Sequence, residues 1–574
     1  MRITYNDKLN KLLNPYLESL LKEKSSLEPE TLTLFDLFME DLDMGGRYGI
    51  FSEILEPRLE EIIREENIES IANLMDGRLN TLFRYMLGDE FAGLFHTYLQ
   101  LEARCPHTIG YDRRAQRSAH PSNHLDHARD AWLQFLKLRA TGFSVEAILK
   151  GGNTPEDTEE FSGYMNSSYW LAAQIAQGNE KVIEYLNQVL TSENNVHRLQ
   201  RWYLHAIAIS GHRPLLELEG KLLLAAKLQE GLRQAIVETM DEGCPESYLY
   251  LFSIIYNNGL QRFASVKRSI AVCTGIGEQD SSERITNKYV ELIWNFLNHP
   301  ETARNTLQSK DTVELYLALW SIGFYDTDEI RAIVPDIIRK GAKHQIQTLL
   351  YFLRCTQSSQ MNHLISKDAF EVWHDDPKVV AAILPLYMDG LYLSRYSDNK
   401  EAPTLSDYFE TPEEAVRHYG YLKQVYQSIS AKEVYSPYVF PWDCVVLTRS
   451  DVVLKMAYIA WMTNDIRLRE ELCTYLPALE SYNRASYIGI VLPRTESKVE
   501  QEYVLQSLGD RSADIRDEAY KVLSEMSLSP EQYQHIEELL RFKYSEMRIN
   551  AINLLMKQPE AQLAASIRRL LSDK

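Results

Sequence analysis

Near its C-terminal end the chain repeats itself. Val504, Leu508, Asp514, Ile515, Arg516, Ala519, Val522 and Leu523 recur 32 residues later as Ile536, Leu540, Glu546, Met547, Arg548, Ala551, Leu554 and Leu555. A unit of that length holds two short helices and a turn, and two such helices leave apolar stripes that neither can hide from water alone. The copies must therefore stack on neighbours, which is how a helical chain grows along one axis without a sheet.

The rhythm extends upstream. Gly178, Gly211, Gly243, Gly259, Gly275, Gly323 and Gly341 fall where helix ends are expected, because glycine is favoured just past a helix terminus. Ile285, Tyr289, Leu292 and Phe296 lie at offsets that place them on one helix face. Start signals agree: Thr411-Pro412-Glu413-Glu414 and Ser529-Pro530-Glu531-Gln532 put a capping side chain before proline with Glu or Gln third, and Asp311 with Glu314 and Asp326 with Glu329 suggest the same cap. No alternating run is bounded by an Asn-Gly or Asp-Gly turn, so strands are not expected.

Asp514-Ile515-Arg516 with Ala519, and Glu546-Met547-Arg548 with Ala551, resemble the second helix of HEAT repeats over about residues 497–574. Glu329-Ile330-Arg331 is a weaker third copy with Val334 in place of the alanine, and Pro335 is expected to kink or break its helix. The whole chain also resembles an uncharacterised family of long bacterial cytoplasmic proteins that carries only a domain-of-unknown-function label. That resemblance implies a bacterial source, a cytoplasmic location and helical repeats, and it assigns no activity. The expected fold class is all-α, with antiparallel helix pairs stacked as a HEAT- or armadillo-like α-solenoid.

Composition bounds the function. With 574 residues the chain is too long for a single core, and its 45% hydrophobic and 25% charged content is that of a folded protein. Lys and Arg number 61 against 81 Asp and Glu, a formal charge of −20, so phosphate backbones and anionic lipid are poor default partners. The N-terminal residues contain no apolar stretch of signal-peptide length, and no run approaches the roughly 18 apolar residues of a membrane span. Six scattered cysteines without a Cys-x-x-Cys pair fit reduced, packed thiols. The expected organisation is an N-terminal helical region over 1–103, a polar connector at 104–130, helical repeats at 131–390, an irregular insertion with one helix at 391–450, and C-terminal repeats at 451–574.

Two segments carry distinctive chemistry. In the connector, Arg104, Arg113, Arg114, Arg117 and Arg129 outnumber Asp112 and Asp126, with His107, His120, His124 and His127 among them. Arginine forks suit phosphate oxygens, so the window reads either as an anion site or as a surface loop paired with acidic helices. With Cys105 the same histidines suggest zinc, since His124 and His127 lie three apart, but no Cys-x-x-Cys or His-Glu-x-x-His spacing supports it. The second segment runs from Val434 to Trp442. Pro437 and Pro441 exclude a regular helix there, and Tyr435, Tyr438 and Trp442 form either a docking strip or a strap buried against helices.

His374-Asp375-Asp376-Pro377 and Asp326-Thr327-Asp328 read as helix caps before they read as metal sites. Gly45-Gly46-Arg47-Tyr48-Gly49 lacks the ending of a phosphate loop and reads as an interhelical turn. No nucleophile elbow, kinase set or zincin motif occurs. The expectation is therefore a non-catalytic protein-interaction scaffold or adaptor, with no cofactor, no catalytic residue and no metal. The alternative is a nucleotide- or nucleic-acid-acting helical protein that uses the 104–129 window.

Overall fold

The computed structural model of the chain describes residues 7–44, 55–68, 70–104, 128, 131–132, 134–140, 142, 168–191, 199–225, 229–240, 243–276, 285–325, 327–356, 359–396, 401–430, 434–437, 444–493 and 495–572. Among these the fold is all-helical apart from one two-stranded ribbon. Two compact units are formed, residues 1–333 with 355–358, and residues 334–354 with 359–574.

In the first unit the helix Leu79–Arg104 buries one wall of aromatic rings: Phe83 meets Trp132 edge-on at 4.8 Å, and Phe95 meets Phe135 at 5.5 Å. This helix packs on Ser168–Ala176, from which two series of helices follow. Ser168–Ala176, Arg201–Ser210, Glu230–Met240 and Ala264–Cys273 each pack on the next of that series. The helices between them, Glu180–Thr191, Arg213–Ala225, Pro245–Asn257, Asn287–Asn298 and Thr312–Tyr325, do the same. Each helix thus lies beside the second one along the chain, as short amphipathic rods must if both flanks are to be covered.

The glycines explain how the turns are made tight enough. After Ser168–Ala176, Gly178 donates its N–H to Ile175 and Asn179 to Gln174, each at 3.0 Å, the paired bonds of a left-handed helix ending. Gly211 takes the same backbone conformation (φ 66°), and a Cβ there would lie 2.9 Å from the Cys244 Sγ. At Gly243 the reason is proximity: a Cβ would stand 2.8 Å from the Ala208 carbonyl oxygen, where Cys244 N–H and Ser247 Oγ also converge. Gly323 departs from expectation, since it lies inside Thr312–Tyr325 and ends nothing. Pro335 also departs, because Thr327–Lys340 continues through it. The buried face of Ile330, Val334, Ile337 and Ile338 holds that helix together despite the missing N–H.

In the second unit, Arg449–Thr463, Ser481–Val491, Ala513–Glu525 and Ser545–Leu555 form one series, and Ile466–Leu472, Lys498–Ser507, Pro530–Leu539 and Glu560–Ser572 the other. The 32-residue offset of the sequence is the offset between the starts of successive members here, except that Glu560–Ser572 begins 30 residues after Pro530–Leu539. Ile515, Ala519, Val522 and Leu523 are buried, and so are Met547, Ala551, Leu554 and Leu555. Ser529 and Gln532 exchange the expected reciprocal cap, Gln532 N–H to Ser529 Oγ at 3.3 Å and Ser529 N–H to Gln532 Oε1 at 2.8 Å. Arg469 forks onto the buried Glu500 at 2.8 and 2.7 Å, and Arg516 reaches Glu546 at 2.9 Å, so ion pairs tie one series member to the next.

The segment expected to be extended forms strand Val434–Pro437, antiparallel to Cys444–Leu447, and the ribbon lies against the helix Pro377–Ile383. The second strand, Cys-Val-Val-Leu, carries the β-branched pair that favours this geometry, yet it is too short to be legible as a strand.

Candidate functional site

A dense group of titratable side chains among the described residues of the second unit joins two helices. Ser359–Trp373 carries His363, Lys367 and Glu371 at four-residue intervals, which places them along one face. Pro412–Ser428 carries Glu414, Arg417, His418 and Tyr421, again on neighbouring turns. Tyr387, fully buried just after Pro377–Ile383, completes the group.

His418 is fully buried and uses both ring nitrogens: Nδ1 lies 2.8 Å from the Tyr387 hydroxyl and Nε2 2.9 Å from Glu371 Oε1. Burial pushes the Tyr387 hydroxyl well above its ordinary range, so it keeps its proton and donates to Nδ1. Nε2–H then donates to Glu371, which fixes the tautomer from the network. Burial also lowers His418 below its ordinary value, against the pull of Glu371, and the ring is neutral at neutral pH.

Glu371 would be raised by its partial burial, yet hydrogen bonds from Arg417 at 3.1 and 2.7 Å and the charges beside it carry it below the usual carboxylate range. Tyr421 donates to its other oxygen at 3.2 Å and stacks on His374 at 3.8 Å. Glu414 is likewise lowered against its burial, by Lys367 at 3.0 Å and by the N–H of Glu410 at 2.6 Å. His363 accepts from Met388 N–H at 3.0 Å and donates to the Tyr408 carbonyl at 2.8 Å, and burial brings it down to about 4.

Chemically, two readings present themselves. Glu371, Glu414 and His418 offer three donor atoms within 4.8 Å of one another, a set that suits a divalent cation. The residues present do not fit one. Arg417 and Lys367 already neutralise the two carboxylates, and His418 has no nitrogen free, so an ion would have to displace two cations and break a buried hydrogen bond. The order hydroxyl, imidazole, carboxylate also matches that of a hydrolytic triad. Here the hydroxyl is that of Tyr387, wholly buried and firmly protonated, which denies it to any substrate as a nucleophile. The group ties three stretches of chain together through satisfied polar contacts.

None of these residues was singled out as a site from sequence, except that Glu414 was read as part of a cap. Glu371 and His418 are 47 residues apart, and no local spacing announces their meeting. The residues that were singled out fare differently. Arg104 ends its helix, is exposed, and pairs with Glu246 at 3.4 Å. Arg113, Arg114, Arg117, His120, His124, His127 and Arg129, with Cys105 and His107, lie outside the described residues. The backbone of Tyr435 pairs with that of Val446 in the ribbon, while Tyr438 and Trp442 lie outside the described residues, as does the glycine cluster at 45–49. Asp376 is the cap it was expected to be, accepting from Lys378 and Val379 N–H at 3.1 and 3.4 Å, with Lys343 as its ion-pair partner. No helix among the described residues is long and apolar enough to cross a membrane.

Among the described residues the fold is helical apart from one ribbon, and the side chains of the His418 cluster are engaged in holding helices to one another. The chain belongs to the family of unknown function DUF5724, whose model matches residues 34–574. No curated protein and no solved structure matches it.

Proposed function

We propose that this chain is a non-catalytic scaffold or adaptor of the bacterial cytoplasm, built as a HEAT- or armadillo-like α-solenoid that binds a protein partner along its surface. The observation that carries the reading is the packing of helix on second-next helix within residues 168–325 of the first unit and 449–572 of the second, with the 32-residue repeat as its clearest instance. A stack of this kind offers a long surface of similar elements, which suits an extended protein partner better than a small molecule. The saturation of the His418 cluster by Arg417, Lys367 and Tyr387 supports the non-catalytic half of the reading.

The test is native-level expression of the tagged full chain, affinity purification, and quantitative mass spectrometry with size-exclusion chromatography. A stoichiometric protein partner that co-elutes is the expected result. Purification as a lone chain across growth conditions would overturn the reading, and so would turnover of a small-molecule substrate by the purified protein.

A further inference from the structure

The helix Ser545–Leu555 is apolar on two opposite faces. Met547, Ala551, Leu554 and Leu555 point inward and are buried. Ile549, Ile552 and Met556, spaced at i, i+3 and i+7, form a second stripe that is 56%, 48% and 64% exposed. A helix apolar on both sides is suited to be covered on both sides. One repeat earlier the equivalent positions Asp517, Tyr520 and Ser524 are half-buried, in the helix on which Ser545–Leu555 packs. The adjoining helix Glu560–Ser572 likewise leaves Ile567 and Leu571 exposed.

Charge says what kind of helix fits. Arg516 of the preceding repeat is buried and meets a carboxylate of the next series member, Glu546, at 2.9 Å. Arg548, its counterpart 32 residues on, is exposed and makes no side-chain hydrogen bond or ion pair among the described residues. Lys543 is a second exposed cation near Arg548, and the single carboxylate of residues 541–557, Glu546, is already engaged by Arg516, in a chain of net charge −20. We propose that this face docks an amphipathic helix of a partner protein, bearing aliphatic residues toward Ile549, Ile552 and Met556 and a carboxylate toward Arg548. A second copy presenting the same face would set basic patch against basic patch. Nucleic acid is disfavoured by the aliphatic character of the stripe and by the overall field. The inference rests on the scaffold reading and names the class of partner.

The experiment uses the full chain and a designed, fluorescein-labelled amphipathic peptide of about 20 residues, with Leu and Ile at i, i+3, i+4 and i+7 and Glu or Asp elsewhere. The same peptide with Lys replacing every acid, phosphatidylglycerol vesicles and single-stranded DNA are the comparisons. The acidic peptide is expected to bind with salt-sensitive affinity, and the double variant Ile552→Asp, Met556→Asp to weaken it about tenfold or more. Arg548→Glu is expected to shift preference toward the Lys peptide. All three positions are exposed, and circular dichroism checks that the variants fold. The proposal is overturned if the acidic peptide does not bind, if the double variant binds it unchanged, if vesicles or DNA bind more tightly, or if the chain self-associates through this face in ultracentrifugation. A native partner retained by the double variant would sink this inference and leave the scaffold reading standing. Peptide binding without any captured partner would sink the scaffold reading alone.

Discussion

In the first unit Glu219 is buried at a cost. It is fully buried in Arg213–Ala225, neither carboxylate oxygen has a hydrogen-bond partner, and burial pushes its titration well above the ordinary 4.5. The folded chain therefore holds a proton that the unfolded chain releases above about 4.5, so stability falls as pH rises from there toward the folded-state value. Glu219→Met removes the unsatisfied acid at similar length. It should raise the melting temperature at pH 8, by an amount worth about 1–3 kcal/mol, with the gain shrinking toward pH 4; a flat difference across that range would refute the assignment. His363 works in the opposite direction. Lowered to about 4 from 6.5, it stays neutral in the fold while the unfolded ring charges, so its contribution is full above 6.5 and is lost as pH falls from 6.5 toward 4. Within the cluster, Glu371→Gln leaves Arg417 and buried His418 without their carboxylate and is expected to destabilise the second unit by roughly 1–3 kcal/mol in urea melts.

At the scale of the element, the glycines separate two kinds of position. Gly211→Ala places a side chain in left-handed backbone and against Cys244, and should cost about 1 kcal/mol or more. Gly93→Ala, inside Leu79–Arg104 with nothing within 4 Å of the added Cβ, should stabilise by about 0.5–1 kcal/mol. Thermal melts of the two variants should move in opposite directions. Much of this was legible in the sequence because caps and turn glycines act locally: Ser529 with Gln532, Asp376 before Pro377, and Gly178 and Gly211 all sit where their chemistry requires. Gly323 and Pro335 misled because tertiary packing outweighed local preference, a wholly buried helix in one case and a four-residue aliphatic face in the other. The ribbon and the His418 cluster were illegible for a different reason. Ribbon partners lie 7 to 13 residues apart and Glu371 lies 47 and 50 residues from His418 and Tyr421, so they meet only through the fold.

Across the molecule, the second-neighbour packing makes stability a sum of contacts between adjacent members, so the ends of a series are held from one side only. Native-state hydrogen exchange should accordingly find Ser545–Leu555 and Glu560–Ser572 less protected than Ser481–Val491 and Ala513–Glu525, which pack on members of their series at both sides; equal protection throughout would argue for a single cooperative core. The 32-residue offset has a consequence for how such a chain tolerates change in length. Ala513–Glu525 and Pro530–Leu539 each meet their successors through equivalent inward residues, Ile515 with Met547 and Ala519 with Ala551 occupying matched places. Excising one whole period leaves the flanking members with surfaces already shaped to meet, whereas removing half a period inverts every helix downstream and strands its greasy side in water. Length in this protein is thus quantised, and gain or loss of chain is absorbed only in complete copies.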